Sequence, residues 1–397
     1  MSRNASASSR RSVSASVVLR DVLAGGPVAR STIARRTGLS PSAVTGHITE
    51  LAAFGLVREL DEATRTHRVG RPHVPVDIDT AQHVVAGIHV AVPHTTVALL
   101  DLRGRVLLAE RLPHHAREPL AVLERAADRL LAMLEAHAPE RSPVGLGVAT
   151  GGWVDQASGV IVEHPVLGWR DVAARDLLAG RTGLAVEVDG HSRALIHAER
   201  LFGVTRESVL QLFVGNVVDA AFATAGTVQH GPRSAAGAVA HLPVEGSAEP
   251  CSCGRAGCLQ ATVSEHTLAR RALAGGILDQ PSFPALLALA EQGSPAAVAL
   301  FRERARVIGR AAVPLVDLLN PDALIVVEPG ISRVPGCLAA LRAELAARSW
   351  VCDDPEHSVL PTSFPRTVLA SAAGAVLLTE FYQDPLRLLT RRLRRTS

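Results

Sequence analysis

One imidazole and three thiols fall within a single short stretch of this chain, at His241, Cys251, Cys253 and Cys258. The spacing H-x9-C-x-C-x4-C supplies four N/S donors, the set a tetrahedral Zn²⁺ takes, and a set with no open position is structural rather than catalytic. Cys251 and Cys253 can face inward across one tight loop. Gly254 and Gly257 let the backbone turn back so that Cys258 closes the tetrahedron. The alternative is a cluster of small buried side chains that includes cysteines. Against it, three of the chain's five cysteines lie here, and clustered intracellular cysteines usually mean metal.

A second concentration of chemistry is electrostatic. The chain has 397 residues and no lysine, so its 41 basic residues are all Arg. Residues 1–75 carry 11 Arg against 5 acids, a net of +6, while the whole chain is only +3. A basic N-terminal unit on a slightly acidic body suggests a polyanion as partner for that unit alone. Its local pattern agrees. Residues 1–12 are Ser/Arg-rich and expected to be disordered, and residues 13–80 to form the unit. Val17, Val18, Val22 and Leu23 give a first helix with one apolar stripe, and a short helix follows over Ser31–Thr37. Gly38-Leu39 is the turn, Ser40 the N-cap and Pro41 the first helical residue. The next helix buries Val44, Ile48 and Leu51.

Helix, glycine turn and capped helix make a helix-turn-helix. Leu56–Leu60 then reads as a strand and 61–68 as a polar hairpin tip, the wing. DNA contact is expected from Ser42, Thr45, Gly46 and His47, with base readout falling to Ser42, Thr45, His47 and the wing; Arg68 and Arg71 lie on the wing, where Gly70-Arg71-Pro72 can lay an Arg along a narrow minor groove. The partner would be a double-stranded DNA operator; a winged protein-docking module is the alternative.

The words around the cysteines carry a resemblance. Ala235-Ala236-Gly237-Ala238-Val239-Ala240-His241, then Cys-x-Cys-Gly-x-x-Gly-Cys-Leu ending at Leu259, resembles the signature of the ROK family, which unites bacterial sugar kinases with sugar-responsive repressors. Gly168-Trp169-Arg170-Asp171-Val172, Ala198–Gly203 and Leu318–Asp322 are further matches, and Thr37–Thr45 resembles the winged helix of the family's repressors. The resemblance implies an α/β fold: an N-terminal winged helix-turn-helix, then the two-lobed actin-like (ribonuclease-H-like) sugar-kinase body. The first lobe is expected at 84–203, completed by a C-terminal helix at 372–397. The second is expected at 204–371, with the zinc loop at 241–258. Pattern alone, with strands such as Val84–Val90, Val209–Val214 and Ala323–Val327 around the helix Leu120–His137, reaches only α/β.

The same resemblance shows what is missing. The family's first phosphate loop, D-I-G-G-T-K, is here His89-Val90-Ala91-Val92-Pro93-His94. Its second, G-T-G-I-G-x-G, is Gly215-Asn216-Val217-Val218-Asp219-Ala220-Ala221. Phosphoryl transfer needs backbone N–H groups cradling phosphate, an acid for the metal and a base for the hydroxyl; His191 stands where the family has its catalytic Asp. In the sugar pocket, three carboxylates have become His191, Ala238 and Gln260, and an Asn has become Gly190. Hydrogen bonds to a charged group contribute about 1.5–3 kcal/mol each, so three losses remove roughly 4–9 kcal/mol, about what a micromolar ligand has. Residues left for an effector are Gly152, Gly190, His191, Arg193, His241 and Gln260, and Arg193 with His191 would favour an anionic one.

The chain therefore reads as a transcriptional regulator, a repressor, with a catalytically dead sensor and oligomerisation body, acting as homodimer or homotetramer. The alternatives are an active sugar kinase with an appended DNA-binding domain, and a regulator with no effector. His89, His94, His191 and His241 raise a second metal site as a further alternative. No apolar run reaches membrane-spanning length, and the N-terminus lacks an apolar signal core; the expected location is the cytoplasm, on the nucleoid.

Overall fold

The structure is a computed structural model and describes residues 2–60, 74–204 and 206–387. The first helix is longer than the sequence suggests, running Ser2–Gly25. Residues 2–12, expected as disordered tail, are its opening turns. No Pro or Gly interrupts the run before Gly25, and Ser12 Oγ donates to Asp384 at the far end of the chain. The helix buries Val18, Leu19 and Val22, whereas Val17 faces out at 40% exposure. Helices Arg30–Thr37 and Pro41–Ala53 follow around left-handed Gly38. Ser40 Oγ accepts the Ala43 N–H at 3.2 Å, with Pro41 in the first turn, as the capping pattern requires. Strands Val28–Ala29, Val57–Glu59 and Pro75–Ile78 form a small sheet with Pro75–Ile78 in the middle. The expected hairpin tip, with Arg68 and Arg71, lies outside the described residues.

The body has two five-stranded sheets. In the first the order is Val186–Gly190, Ser142–Thr150, His83–Val90, His94–Leu100, Val106–Pro113, parallel through the first three strands and antiparallel beyond. Helices Pro119–His137 and Ala174–Thr182 cover one face. The C-terminal helix Val368–Gln383 lies on the other, beside helix His191–Phe202. That helix approaches so closely that a Cβ at Gly147 would stand 2.1 Å from the Ala373 carbonyl oxygen, and one at Gly87 3.0 Å from the Ala373 Cβ. Glycine inside a strand here marks the approach of another backbone. The second sheet orders Thr227–Val228, Val218–Thr224, Val209–Val214, Ala323–Val327, Val359–Pro361. Helix Pro295–Leu319 and helix Cys337–Arg348 pack against each other and its core. Among the described residues no single helix is long and apolar enough to cross a membrane.

The N-terminal unit is not a separate bead. Val18, Leu19, Ile33, Val44 and Ile48 belong to one buried cluster with Val85, Leu100, Leu377, Phe381 and Tyr382 of the body. Tyr382 Oη donates to the Leu102 carbonyl and accounts for one polar group; Ser16 Oγ donates to the Tyr382 carbonyl at 2.6 Å. Arg103 reaches across to the Leu23 carbonyl and to Asp77. A shared core predicts shared unfolding. Leu19→Ala should cost about 2–5 kcal/mol and lower one calorimetric transition of the whole chain. Two resolved transitions, of which only the smaller moves, would contradict the shared core.

Candidate functional site

The donor atoms of His241, Cys251, Cys253 and Cys258 all lie within 4.8 Å of one another. The backbone brings them there. Val244 N–H donates to Gly257 O and Cys251 N–H to Arg255 O, each at 2.8 Å, so the loop closes as two short antiparallel bridges. Gly254 and Gly257 take φ of +85° and +72°, and a Cβ at Gly257 would meet Ser247 O at 2.5 Å. Cys251 Sγ is 3.5 Å from His241 Nδ1, and Cys253 Sγ is 3.7 Å from Cys258 Sγ. The Arg255 guanidinium donates to Cys253 Sγ and lowers that thiol to about 6, into the thiolate range at neutral pH. This donor set fits a metal such as zinc. It is the one such group among the described residues. Among the described residues His89, His94 and His191 make no second such group; the His89 and His191 rings stack, centroids 5.5 Å apart, and the Phe213 ring lies 3.9 Å from that of His191.

The stack joins the lobes, with His89 and His191 from the first and Phe213 from the second. Asp219, from the second lobe, accepts the Gly152 N–H at 3.2 Å and stands 2.8 Å from His191 Nε2, at ion-pair distance but without the angle of a hydrogen bond. Around it the loops of the two lobes are stitched together. Trp153 Nε1 donates to Arg233 O, the Arg233 guanidinium sits 4.6 Å over the Trp153 ring, and Gln156 N–H donates to Ser234 Oγ.

The residues expected to receive an effector are brought together here, but most have their polar atoms engaged within the fold. Arg193, read from sequence as a receptor for an acid, is buried. It pairs with Asp189 at 2.6 Å and donates to Ser234 O and Val154 O. An Arg in the first turn of a buried helix needs such partners, and an arginine so engaged has little left for a ligand. Gln260 Oε1 accepts the Val218 N–H at 3.1 Å. Gly190 caps helix His191–Phe202, with its own N–H on Asp189 Oδ1. His241 belongs to the cysteine cluster.

The phosphate-loop positions are equally closed. Gly215 N–H bonds to Val217 O in a tight hairpin, and a Cβ at Gly151 would meet the Val217 side chain at 3.0 Å. Ala91 N–H bonds to His94 O, closing the other loop on itself. Glu328 is 3% exposed, ion-paired with Arg304, and caps helix Pro329–Arg333 through the Ile331 N–H.

In the N-terminal unit, Ser42, Thr45 and Gly46 lie on the exposed face of helix Pro41–Ala53 and His47 at its edge, opposite buried Val44, Ile48 and Leu51. Thr45 Oγ1 donates back to Pro41 O, and nothing lies within 4 Å of a Cβ at Gly46, so a groove wall can come close to the helix there. Arg35, Arg36 and Arg58 of the same unit are also exposed. Sequence reading did not single them out; the +6 balance of the segment was their only signal.

A helix-turn-helix fused to a two-lobed α/β body with a Cys₃His cluster between sheet and helix defines a class of protein. The ROK family model matches residues 85–380, and the chain belongs to that family. It is 33% identical over 398 residues to the transcriptional regulator Rv0485 of Mycobacterium tuberculosis, covering 95% of this chain and 87% of that one. Its fold is similar to that of a solved ROK family transcriptional regulator described as a homologue of the Escherichia coli MLC protein. That match has a TM-score of 0.78 at 21% identity and covers 96% and 98% of the two chains. The body alone resembles a ROK family glucokinase of Streptomyces griseus solved with glucose and AMPPNP. There the TM-score is 0.63 at 23% identity, over 73% of this chain and 98% of that one.

Burial shifts several imidazoles around the cleft and behind it. His89 is held well below the usual 6.5, chiefly by burial and then by His191 and His94. His94, His164 and His197 are each lowered to about 4, again first by burial. The unfolded chain binds more protons than the folded one between those values and 6.5, so this stability is complete above 6.5 and lost as pH falls towards 4. Glu265, raised to about 7 by burial, opposes, as do Asp21, Asp101 and Glu380, each raised first by burial. The melting temperature should therefore drop steeply from pH 6.5 down to about 4, and His164→Phe should flatten the slope. A profile level across that range would contradict neutral buried rings.

Proposed function

We propose that this chain is a DNA-binding transcriptional regulator, a repressor, whose body performs no phosphoryl transfer and whose His241–Cys258 loop holds one structural Zn²⁺. The observation that carries the reading is the capped helix Pro41–Ala53, which turns Ser42, Thr45 and Gly46 to solvent while its apolar face anchors the unit to the body. Full-length similarity to a chain named as a transcriptional regulator supports it. Association as a homodimer or homotetramer places two such helices in successive major grooves of an inverted repeat. Wing residues Arg68 and Arg71 then track the flanking minor groove.

Loss of kinase chemistry follows from the closed loops. The Gly215 N–H is bonded within its own hairpin, and Asp219 puts a negative charge where a polyphosphate would have to enter. Because the cleft is held shut by contacts of its own, neutral sugars lack a differential interaction with two states and should leave operator affinity unchanged. ATP turnover above background with a hexose, abolished by His191→Ala, would return the chain to the kinases.

Operator binding is testable at single residues. Ser42→Ala or Thr45→Ala should change base preference, each contact at a base edge being worth about 1–3 kcal/mol. Arg58→Ala should weaken all sequences alike and reduce the salt slope by about one. Selection of binding sites from random duplexes reads both. Identical preferences in wild type and both helix variants would remove the recognition assignment.

Zinc is testable by stoichiometry. Chelator-washed protein should retain about one equivalent per chain, and Cys253→Ser should lower both metal content and melting temperature, because metal binding to such a site is folding free energy. Full zinc with unchanged melting in that variant would sink the assignment.

A further inference from the structure

Away from the cleft the structure holds a charged cavity of about 480 Å³, where the first helix, helix His191–Phe202, the C-terminal helix and the second lobe meet. Its walls include Arg20, His197, Arg200, Arg206 and Thr379, with two acids, Glu207 and Asp322, against the three arginines. The volume falls in the range of small-molecule sites, about 300–1,000 Å³. Arg20 comes from the DNA-binding unit and makes no ion pair among the described residues. Arg200 comes from the body and donates to the Gly226 carbonyl, leaving its other N–H groups towards the cavity. The two cations crowd each other: Arg200 is held below its usual basicity first by burial and then by Arg20, and Glu207 offsets this only in part. His197 is neutral at pH 7, lowered to about 4 by burial, so it adds a hydrogen-bonding ring without further charge. Asp322 has one carboxylate oxygen on the Ser208 N–H, which ties it to the backbone and away from the two arginines.

Two guanidiniums from different structural units, repelling each other across a cavity, form an arrangement that an anion relieves. Their planar forks match phosphate oxygens in pairs. We propose that this cavity binds a small phosphate-bearing metabolite through Arg20 and Arg200, and that the bound anion fixes the DNA-binding helices relative to the body. The second half rests on the reading of the chain as a DNA-binding regulator; the first half does not. Because one ligating arginine lies on each side of the joint, the ligand favours one relative placement of the two units, and only that difference can shift operator affinity.

The test uses the full zinc-loaded chain. Inorganic phosphate and glycerol 3-phosphate are titrated calorimetrically at constant ionic strength, with succinate as the carboxylate counterpart and chloride as the ionic control. Saturable binding of the phosphate probes is expected, at least tenfold weaker in Arg20→Gln and in Arg200→Gln and unchanged in Arg58→Gln. Arg20 is exposed, so its variant folds even if Arg200→Gln does not. Succinate binding as tightly as the phosphates would overturn the phosphate class, and a response equal to that of chloride, or unaltered in Arg20→Gln, would overturn the site. Operator titration with and without glycerol 3-phosphate separates the two readings. Arginine-dependent anion binding by a chain that binds no duplex leaves the cavity standing and removes the regulator. Operator binding with arginine-independent anion response does the reverse.

Discussion

The close approach of the C-terminal helix to the first sheet is the constraint on which the arrangement of this molecule depends. Ala373 can reach the strands only because Gly87 and Gly147 carry no side chain; any Cβ at Gly147 would overlap the helix backbone. Once seated, the helix presents Leu377, Leu378, Phe381 and Tyr382 to the N-terminal unit, and these join Val18, Leu19 and Val22 in one buried cluster. The orientation of the recognition helix is thus fixed by contacts at the opposite end of the chain. Any force that shifts the C-terminal helix along the sheet is felt by the DNA-binding unit directly, without a flexible linker to absorb it.

The interior between the lobes follows a second rule, that buried charge must be partnered. Arg193 with Asp189 and Arg304 with Glu328 are both nearly sealed from solvent, and each arginine also donates to backbone carbonyls. Burying such pairs contributes little net stability, but removing one partner leaves an uncompensated charge costing about 3–5 kcal/mol. Their effect here is to fix geometry. Arg193 ties the first-lobe loop at Val154 to the second-lobe loop at Ser234, and Asp219 joins Gly152 to the stack of His191 and Phe213. These contacts cross directly from one lobe to the other.

Much of this was legible in the chain. The cysteine spacing located the metal cluster because tetrahedral coordination demands four donors in reach, and short-range geometry is set by the loop itself. The capped helix Pro41–Ala53 was legible for the same reason: Ser40, Pro41 and the Val44–Ile48–Leu51 stripe are local signals. What sequence reading missed is non-local. Arg193 looked like a receptor for an acid because its partners, Asp189 in the preceding strand and two carbonyls 39 and 41 residues away, are brought in only by tertiary structure. The opening turns of the first helix were read as disorder because Ser and Arg there lack an apolar stripe, and the contact from Ser12 to Asp384 spans 372 residues. The cavity of Arg20 and Arg200 was invisible for a like reason, since its walls come from four separated segments.

The order of the cysteine loop has a physical explanation in the fold itself. The segment from His241 to Cys258 has only two short bridges and a few turns, and ordering each such residue costs about 1–2 kcal/mol of backbone entropy. Directly after Cys258, Leu259 enters the second-lobe core and Gln260 holds the Val218 N–H. Val218 begins the strand that carries Asp219 into the cleft. A metal holding the loop therefore fixes the position of Gln260, then the start of that strand, and finally the carboxylate that joins the two lobes. On this chain of contacts the cysteine cluster is linked, through Gln260 and Val218, to the carboxylate that joins the two lobes.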